Sequence, residues 1–282
     1  MEKAIKKYWP VFLVPTLVSF LIGFIVPFIL GVWLSFCDFT TVTDAQFTGI
    51  ENYLRAFQDT IFQHAFWYTA LFAIVSLLVI NVIAFALALA LTQKMRGTNL
   101  FRTVFFMPNL IGGIVLGYIW QLIFNGILAQ YSQAINLNEW YGFAGLVILV
   151  SWQQIGYMMI VYIAGLQSIP TDVLEAAEVD GAGPWERLKS VIIPMMMPSI
   201  TICTFLSITN GFKLFDQNLS LTAGEPSKLS ELLALNIYNT FYGRSGAQWK
   251  GIGQAKAVVF FLIVVVISLI QLKFTRSKEV QQ

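Results

Sequence analysis

Five stretches of this chain run for more than 20 residues without a charged side chain: Tyr8 to Cys37, Ala65 to Gln93, Thr103 to Asn138, Trp140 to Thr171 and Ser190 to Phe212. A helix rises 1.5 Å per residue, so about 20 apolar residues cross the hydrocarbon of a bilayer. Each stretch is long enough to hold a spanning helix. A sixth, Ile252 to Leu272, contains only Lys256, near one end where it is expected to snorkel to the headgroups. Strands of a barrel would alternate apolar and polar positions, and "VVFFLIVVVISLI" does not. Apolar residues make up 57% of the chain and charged ones 11%, against roughly a quarter charged in soluble domains. The expected fold is an all-α integral membrane protein with one transmembrane domain of six spans, at roughly 11–34, 68–91, 104–124, 143–166, 193–213 and 252–272.

The distribution of Lys and Arg orients such a bundle. With six spans both termini share a side. That side carries Lys3, Lys6, Lys7, Lys94, Arg96, Arg102, Arg187, Lys189, Lys273, Arg276 and Lys278; the other carries Arg55, Lys213, Lys228, Arg244, Lys250 and Lys256. Both termini are therefore expected in the cytoplasm. The first apolar run exceeds a signal-peptide core and has no small-residue cleavage site after it, so it is expected to stay as a span. The residues 214–251 form the longest extracytoplasmic connection.

Several function classes drop out. A net charge of +2 gives no footprint for nucleic acid. No GxxxxGK[ST] loop is present, so the chain itself is not expected to bind or hydrolyse ATP. Cys37 and Cys203 are too few, and Cys203 too deep in a span, for a disulfide or thiolate metal site. His64, the only histidine, is expected at a surface or interface. No constellation of His and carboxylates lies at membrane depth, which argues against an intramembrane enzyme.

One segment breaks the apolar pattern. "EAAEVDGAGPWERLKSVIIP", Glu175 to Pro194, holds six charged residues, two glycines and two prolines. Pro170 ends the preceding segment. Asp172 is placed to cap a new helix, with Glu175 three residues on in a capping box. Gly181 and Gly183 stop that helix, and Pro184 suits the first position of the next. Ala176 and Ala177 permit close approach of another surface. Glu175, Glu178 and Asp180 offer carboxylates to a basic partner. An amphipathic helix lying in the membrane interface is the alternative, though such helices are usually basic on their polar face.

The 172–190 segment closely resembles the EAA loop of permease subunits in binding-protein-dependent ABC importers. Glu175, Ala176, Ala177, Gly181 and Pro194 fall on that motif at its spacing, with Val191 for Ile and Ile193 for Leu as conservative departures. "FTGIENY", "GLQSIP" and "FDQNLSLTAGEPSKLSELLALNIYNTFY" are similar to segments of the sugar-permease branch, the MalF-like group. The resemblance implies a type I importer transmembrane domain in a bacterial or archaeal cytoplasmic membrane, with 172–190 as the coupling helix that docks in an ATPase cleft. It also implies the partners: a second, related permease, two ATPase subunits that hold the ATP and Mg, and an extracellular or periplasmic sugar-binding protein. Glu175 would pair with an ATPase arginine.

A transport path needs polar groups at membrane depth, where they are costly unless they face a partner or water. "SWQQIGYMMIVY" puts Gln153, Gln154 and Tyr157 within about one turn, beside Trp152. Amides, a phenol and an indole suit a sugar, whose hydroxyls need hydrogen bonds and whose ring stacks on aromatic faces. "SITNGFKLFDQN" adds Ser207, Asn210 and Lys213 at helical spacing, with Asp216 continuing the same face. The resemblance puts the sugar site on these two helices, with Trp152, Tyr157 and Ser207 matching best and Gln153, Gln154, Asn210 and Gly211 in the same region. These residue types differ from those of a maltose permease. Hydrogen bonding between helices is the plain alternative for each polar side chain. Gly113 and Gly117 form a GxxxG expected to mark close helix packing. A permease for another solute, such as glycerol phosphate, a polyamine or a peptide, stays open. Phosphate would call for more cations in the path, and a polyamine for more carboxylates. A self-sufficient secondary carrier would need intramembrane ionisable residues that the first five spans lack.

Overall fold

The computed structural model describes residues 2–93 and 96–277. Lys94 and Lys278 of the charge tally lie outside them. The fold is all-α apart from one minimal ribbon. In chain order it comprises α1 (Glu2–Phe20), α2 (Val26–Leu34), β1 (Cys37–Asp38), β2 (Gln46–Phe47), α3 (Glu51–Gln58) and α4 (Thr60–Leu91). There follow α5 (Thr98–Phe106), α6 (Gly113–Leu128), α7 (Glu139–Gln167), α8 (Thr171–Val179), α9 (Pro184–Arg187) and α10 (Ile193–Met195). The remainder is α11 (Met197–Lys213), α12 (Asp216–Leu221), α13 (Leu233–Tyr242) and α14 (Ala247–Arg276). β1 and β2 pair antiparallel, Cys37 opposite Phe47.

Among the described residues, five helical stretches are long and apolar enough to cross a membrane: Trp9–Leu34, Thr60–Leu91, Gly113–Tyr131, Glu139–Gln167 and Ala247–Thr275. A sixth crossing is available if Pro184–Met195 and Met197–Lys213, bent by 71°, count as one. The bend falls where Pro194 and Pro198 each remove a backbone donor. Met196, fully buried at the bend, packs toward Gly165 of α7.

The third window departs from the expected span at 104–124. α5 ends at Phe106, a tight turn covers Met107–Leu110, and α6 starts at Gly113. Pro108 interrupts the hydrogen-bond ladder, and Ile111 and Gly112 are extended. The window's hydropathy is uniform, so it marks where a helix fits and not where the chain breaks.

The chain divides into two compact units, residues 1–60 with 237–262 and residues 61–236 with 263–282. In the first, the connection between α2 and α4 is tied to the start of α14, with the Phe39 N–H donating to the Ala247 carbonyl at 3.3 Å. In the first unit Asn52, fully buried, donates its amide to the Cys37 carbonyl at 3.0 Å, and Tyr53 and Ser35 share a 2.6 Å hydrogen bond. The "FTGIENY" segment is thus the clasp that holds the ribbon. Gly251 of α14 lies directly against Cys37 and Asn52, leaving no room for a Cβ.

Lys256 does not snorkel. Its side chain is fully buried, with Nζ 2.8 Å from Asp59 Oδ2 and donating to Thr240 Oγ1 at 2.8 Å. Asp59, the residue that caps the end of α3, supplies the carboxylate.

The second unit is organised on α7. Its buried face carries Leu146, Leu149, Val150, Met158, Met159, Tyr162 and Ile163. Glycines on the same helix set the distances. A Cβ on Gly156 would collide with the Phe105 carbonyl, so α5 and α7 touch backbone to backbone there.

Candidate substrate cleft and coupling loop

A cleft of about 490 Å³ opens in the second unit, walled by α7, the end of α11, the start of α12 and the turn before α6. Five residues expected on the path line it: Gln153, Gln154, Tyr157, Asn210 and Lys213. Asp216 lines it too, by a different route from the one expected. α11 ends at Lys213, Leu214 is extended, and α12 begins afresh at Asp216, so no single helix face runs from Ser207 to Asp216. Among the described residues no ion pair joins Lys213 to Asp216, and both are exposed.

Three expected path residues lie elsewhere. Trp152 packs edge-on to Trp120, with ring centroids 5.5 Å apart. Ser207 is buried and accepts a 2.9 Å hydrogen bond from Asn81 Nδ2, while Tyr162 donates to Asn81 Oδ1 at 2.7 Å. Here interhelical hydrogen bonding is what the polar group does. Gly211 packs on Ala73, with a would-be Cβ 3.1 Å from the Ala73 backbone. Helical spacing alone could not tell the cleft-facing stripe of α11 from the stripe facing α4.

Two polar cleft residues escaped the sequence reading. Asn109 enters because the chain breaks after Pro108; a Pro-Asn pair inside an apolar window was the available signal. Gln217 enters on α12, which lies against α6 at the two glycines of the GxxxG. A Cβ on Gly113 would come 2.8 Å from Asp216 Cβ, and one on Gly117 would overlap Ser220. The GxxxG does mark close packing, within the chain.

Amides dominate the cleft, and they form a relay. Gln217 Nε2 donates to Gln153 Oε1 at 2.7 Å, and Gln153 Nε2 donates to the Ile111 carbonyl at 3.1 Å. That carbonyl would otherwise lack a helical partner, because the ladder is broken there. Gln153 and Gln217 are both mostly buried, so they shape the wall. Asn210 Nδ2 lies a long 3.4 Å from Gln154 Oε1. That loose pair, with Tyr157 and Lys213, presents the cleft's available hydrogen-bonding groups.

The charged insert forms α8, a turn and α9. α8 starts one residue before the expected cap: Pro170 takes the cap position, and Asp172 lies inside the first turn with no side-chain cap bond. Pro170 lacks only a donor, and its carbonyl still accepts from Val173 at 3.3 Å. Asp172 still faces the positive end of the helix dipole. The far end closes with Gly181 at φ +83°, its N–H donating to Glu178 and that of Ala182 to Ala177. This is a Schellman closure, and only glycine adopts that backbone without strain. Pro184 then opens α9. Glu178 is held within the loop by Arg187 Nη1 at 2.8 Å. Glu175, Ala176 and Asp180 are exposed, Ala177 partly so, and Val179 is 87% exposed.

An apolar bundle whose fourth and fifth crossings are joined by this exposed, rigid two-helix loop defines the transmembrane domain of an ABC importer. The fold agrees across nearly the whole length with a bacterial ABC transporter involved in the import of the acidic polysaccharide alginate, at a TM-score of 0.81, 21% identity and 98% coverage of both chains. The chain belongs to the binding-protein-dependent transport system inner membrane components, whose family pattern matches residues 95–279. It is 43% identical to the probable starch degradation products transport system permease protein AmyD of Thermoanaerobacterium thermosulfurigenes, covering 97% of this chain and 95% of that one. It is 30% identical to the multiple sugar-binding transport system permease protein MsmF of Streptococcus mutans, covering 99% of both. It is a multi-pass permease component of the cytoplasmic membrane and not a catalytic subunit.

Proposed function

We propose that this chain is one permease of an importer for a neutral oligosaccharide released from starch. The observation that carries this reading is the amide-lined cleft at Gln153, Gln154 and Asn210, whose one Lys and one Asp balance in charge. Hydroxyl-rich neutral rings match such walls. The similarity to a starch-product permease supports the choice of sugar.

In this reading both termini and α8 are cytoplasmic, and the 38–59 and 214–251 connections face outward. α8 docks in a partner ATPase, where Glu175 meets a basic side chain across the contact formed by Ala176, Ala177 and Gly181, with Asp180 alongside. Two ATPase subunits bind ATP and Mg and close as a dimer. That closure moves α8, and the Gly181 turn and the Glu178–Arg187 pair pass the displacement to α9–α11 as a unit. The movement has a thermodynamic driver because the ATPase dimer differs in affinity for the two states. A second, related permease completes the path, and an extracytoplasmic binding protein delivers the sugar.

The test is ATP-dependent maltotriose uptake by the complex reconstituted in liposomes with its binding protein. Wild type is expected to take up maltotriose. Glu175→Lys should assemble yet lose uptake, and Gln154→Leu should raise the half-saturating concentration with assembly intact. Normal uptake by Glu175→Lys would remove the docking role, and unchanged kinetics in Gln154→Leu would take Gln154 off the path.

A further inference from the structure

A second cavity, of about 330 Å³, lies wholly within the unit formed by residues 1–60 and 237–262. Arg55, Gln58 and Asp59 form one wall; Arg244, Gln248 and Trp249, at the entry to α14, form the other. It shares no residue with the Gln153 cleft.

Several of the side chains around it are held by contacts within the unit. The Arg244 guanidinium stacks 4.3 Å from the centroid of the Trp249 ring. Arg55 is bound by Glu51 one turn back and lies 3.8 Å from Asp38. Asp59 is anchored from behind by Lys256, which has no solvent exposure.

The residues that line the cavity carry two cations and one carboxylate, and three further charges stand behind them. Arg55, Arg244 and Lys256 are cations; Glu51, Asp38 and Asp59 are carboxylates. A charged ligand would meet little net field there. What the walls do offer is two guanidinium forks and two primary amides as donors, amide and carboxylate oxygens as acceptors, and an indole. A neutral polyhydroxylated ring uses all of these, because each hydroxyl both donates and accepts and the ring's C–H face needs an apolar plane. The volume lies at the lower end of the range of about 300–1,000 Å³ for small-molecule sites.

We propose that this cavity is a second saccharide subsite, binding one or two units of a neutral oligosaccharide on the extracytoplasmic side, separately from the cleft. The proposal rests on the importer reading for its choice of sugar and for its side of the membrane. In function it would hold sugar at the permease independently of the binding protein.

The test is protection from labelling. Gln248→Cys is introduced into the assembled transporter in lipid nanodiscs, without binding protein, and its reaction with a maleimide is timed with and without maltotriose. Native Cys37 and Cys203 are buried. Maltotriose filling nine-tenths of the sites should slow labelling about tenfold by mass action. Adding Trp249→Leu or, separately, Gln58→Leu should abolish the protection, whereas adding Gln154→Leu should leave it intact. If the Gln248→Cys transporter imports maltotriose yet labels equally fast with and without it, the subsite is overturned and the importer reading stands. Protection that survives both Trp249→Leu and Gln58→Leu but vanishes with Gln154→Leu would also overturn it, assigning the effect to the cleft. A complex that neither imports maltotriose nor shows protection would defeat both readings.

Discussion

Lys256 places an ammonium group out of all contact with solvent, held by Asp59 and Thr240. Removing one member of a buried pair strands the other's charge, at a cost of about 3–5 kcal/mol, whereas replacing both with apolar groups is often neutral. Lys256→Ala should therefore lower the thermal midpoint of the detergent-solubilised chain markedly, and Lys256→Met with Asp59→Leu should recover most of it. Equal midpoints for wild type and Lys256→Ala would mean the pair is solvated in solution. Cys37 offers a pH-dependent counterpart. Burial, and then the neighbouring Asp38 charge, push its thiol above the ordinary range. The thiolate is the reactive form, so alkylation of Cys37 should be slow at neutral pH and rise only above the titration range of a free cysteine. Fast labelling at pH 7 would contradict the burial. Neither behaviour was legible beforehand, because Lys256 near the end of an apolar run looks the same whether a carboxylate or a headgroup awaits it.

Among the elements, the coupling loop was the most legible. Its glycines and Pro184 punctuate the chain by backbone rules that operate locally, and α8 ends at Gly181 by the same rules. Its start was displaced by two residues because a proline carbonyl served in place of a side-chain cap. Gly181→Ala forces a Cβ into the left-handed region, at about 1–2 kcal/mol. That substitution should loosen the turn without touching Glu175. ATP hydrolysis by the complex should then continue while uptake per ATP falls, and an unchanged ratio would show that the turn need not be rigid. The third window was the least legible element. Hydropathy constrains only the sum over a window, whereas the break at Pro108–Gly112 depends on how Gln153, itself held by Gln217 of α12, receives the freed Ile111 carbonyl, a tertiary matter.

For the whole molecule, the resemblance of the insert and the length of the apolar runs were enough to anticipate an importer bundle. The inventory of cleft residues was not. Trp152, Ser207 and Gly211 carry the right chemistry on the right helices but turn to Trp120, Asn81 and Ala73. Which stripe faces a cleft is decided by neighbours remote in sequence, and a single chain does not display them. The proposed orientation can be examined directly. In intact cells an impermeant maleimide should label Thr43→Cys in the first outer connection and leave Asp180→Cys untouched until the cells are opened. The reverse pattern would invert the bundle.

The Asp59–Lys256 pair also bears on how the chain is made. Its partners are 197 residues apart in sequence, so during synthesis the aspartate leaves the ribosome long before the lysine exists. Until α14 arrives, Asp59 lacks its buried cation, and the contacts of residues 38–59 with α14 cannot form. Synthesis of α14 is therefore what closes the contact at the end of α3. A chain cut short before α14 would keep a carboxylate without its lysine.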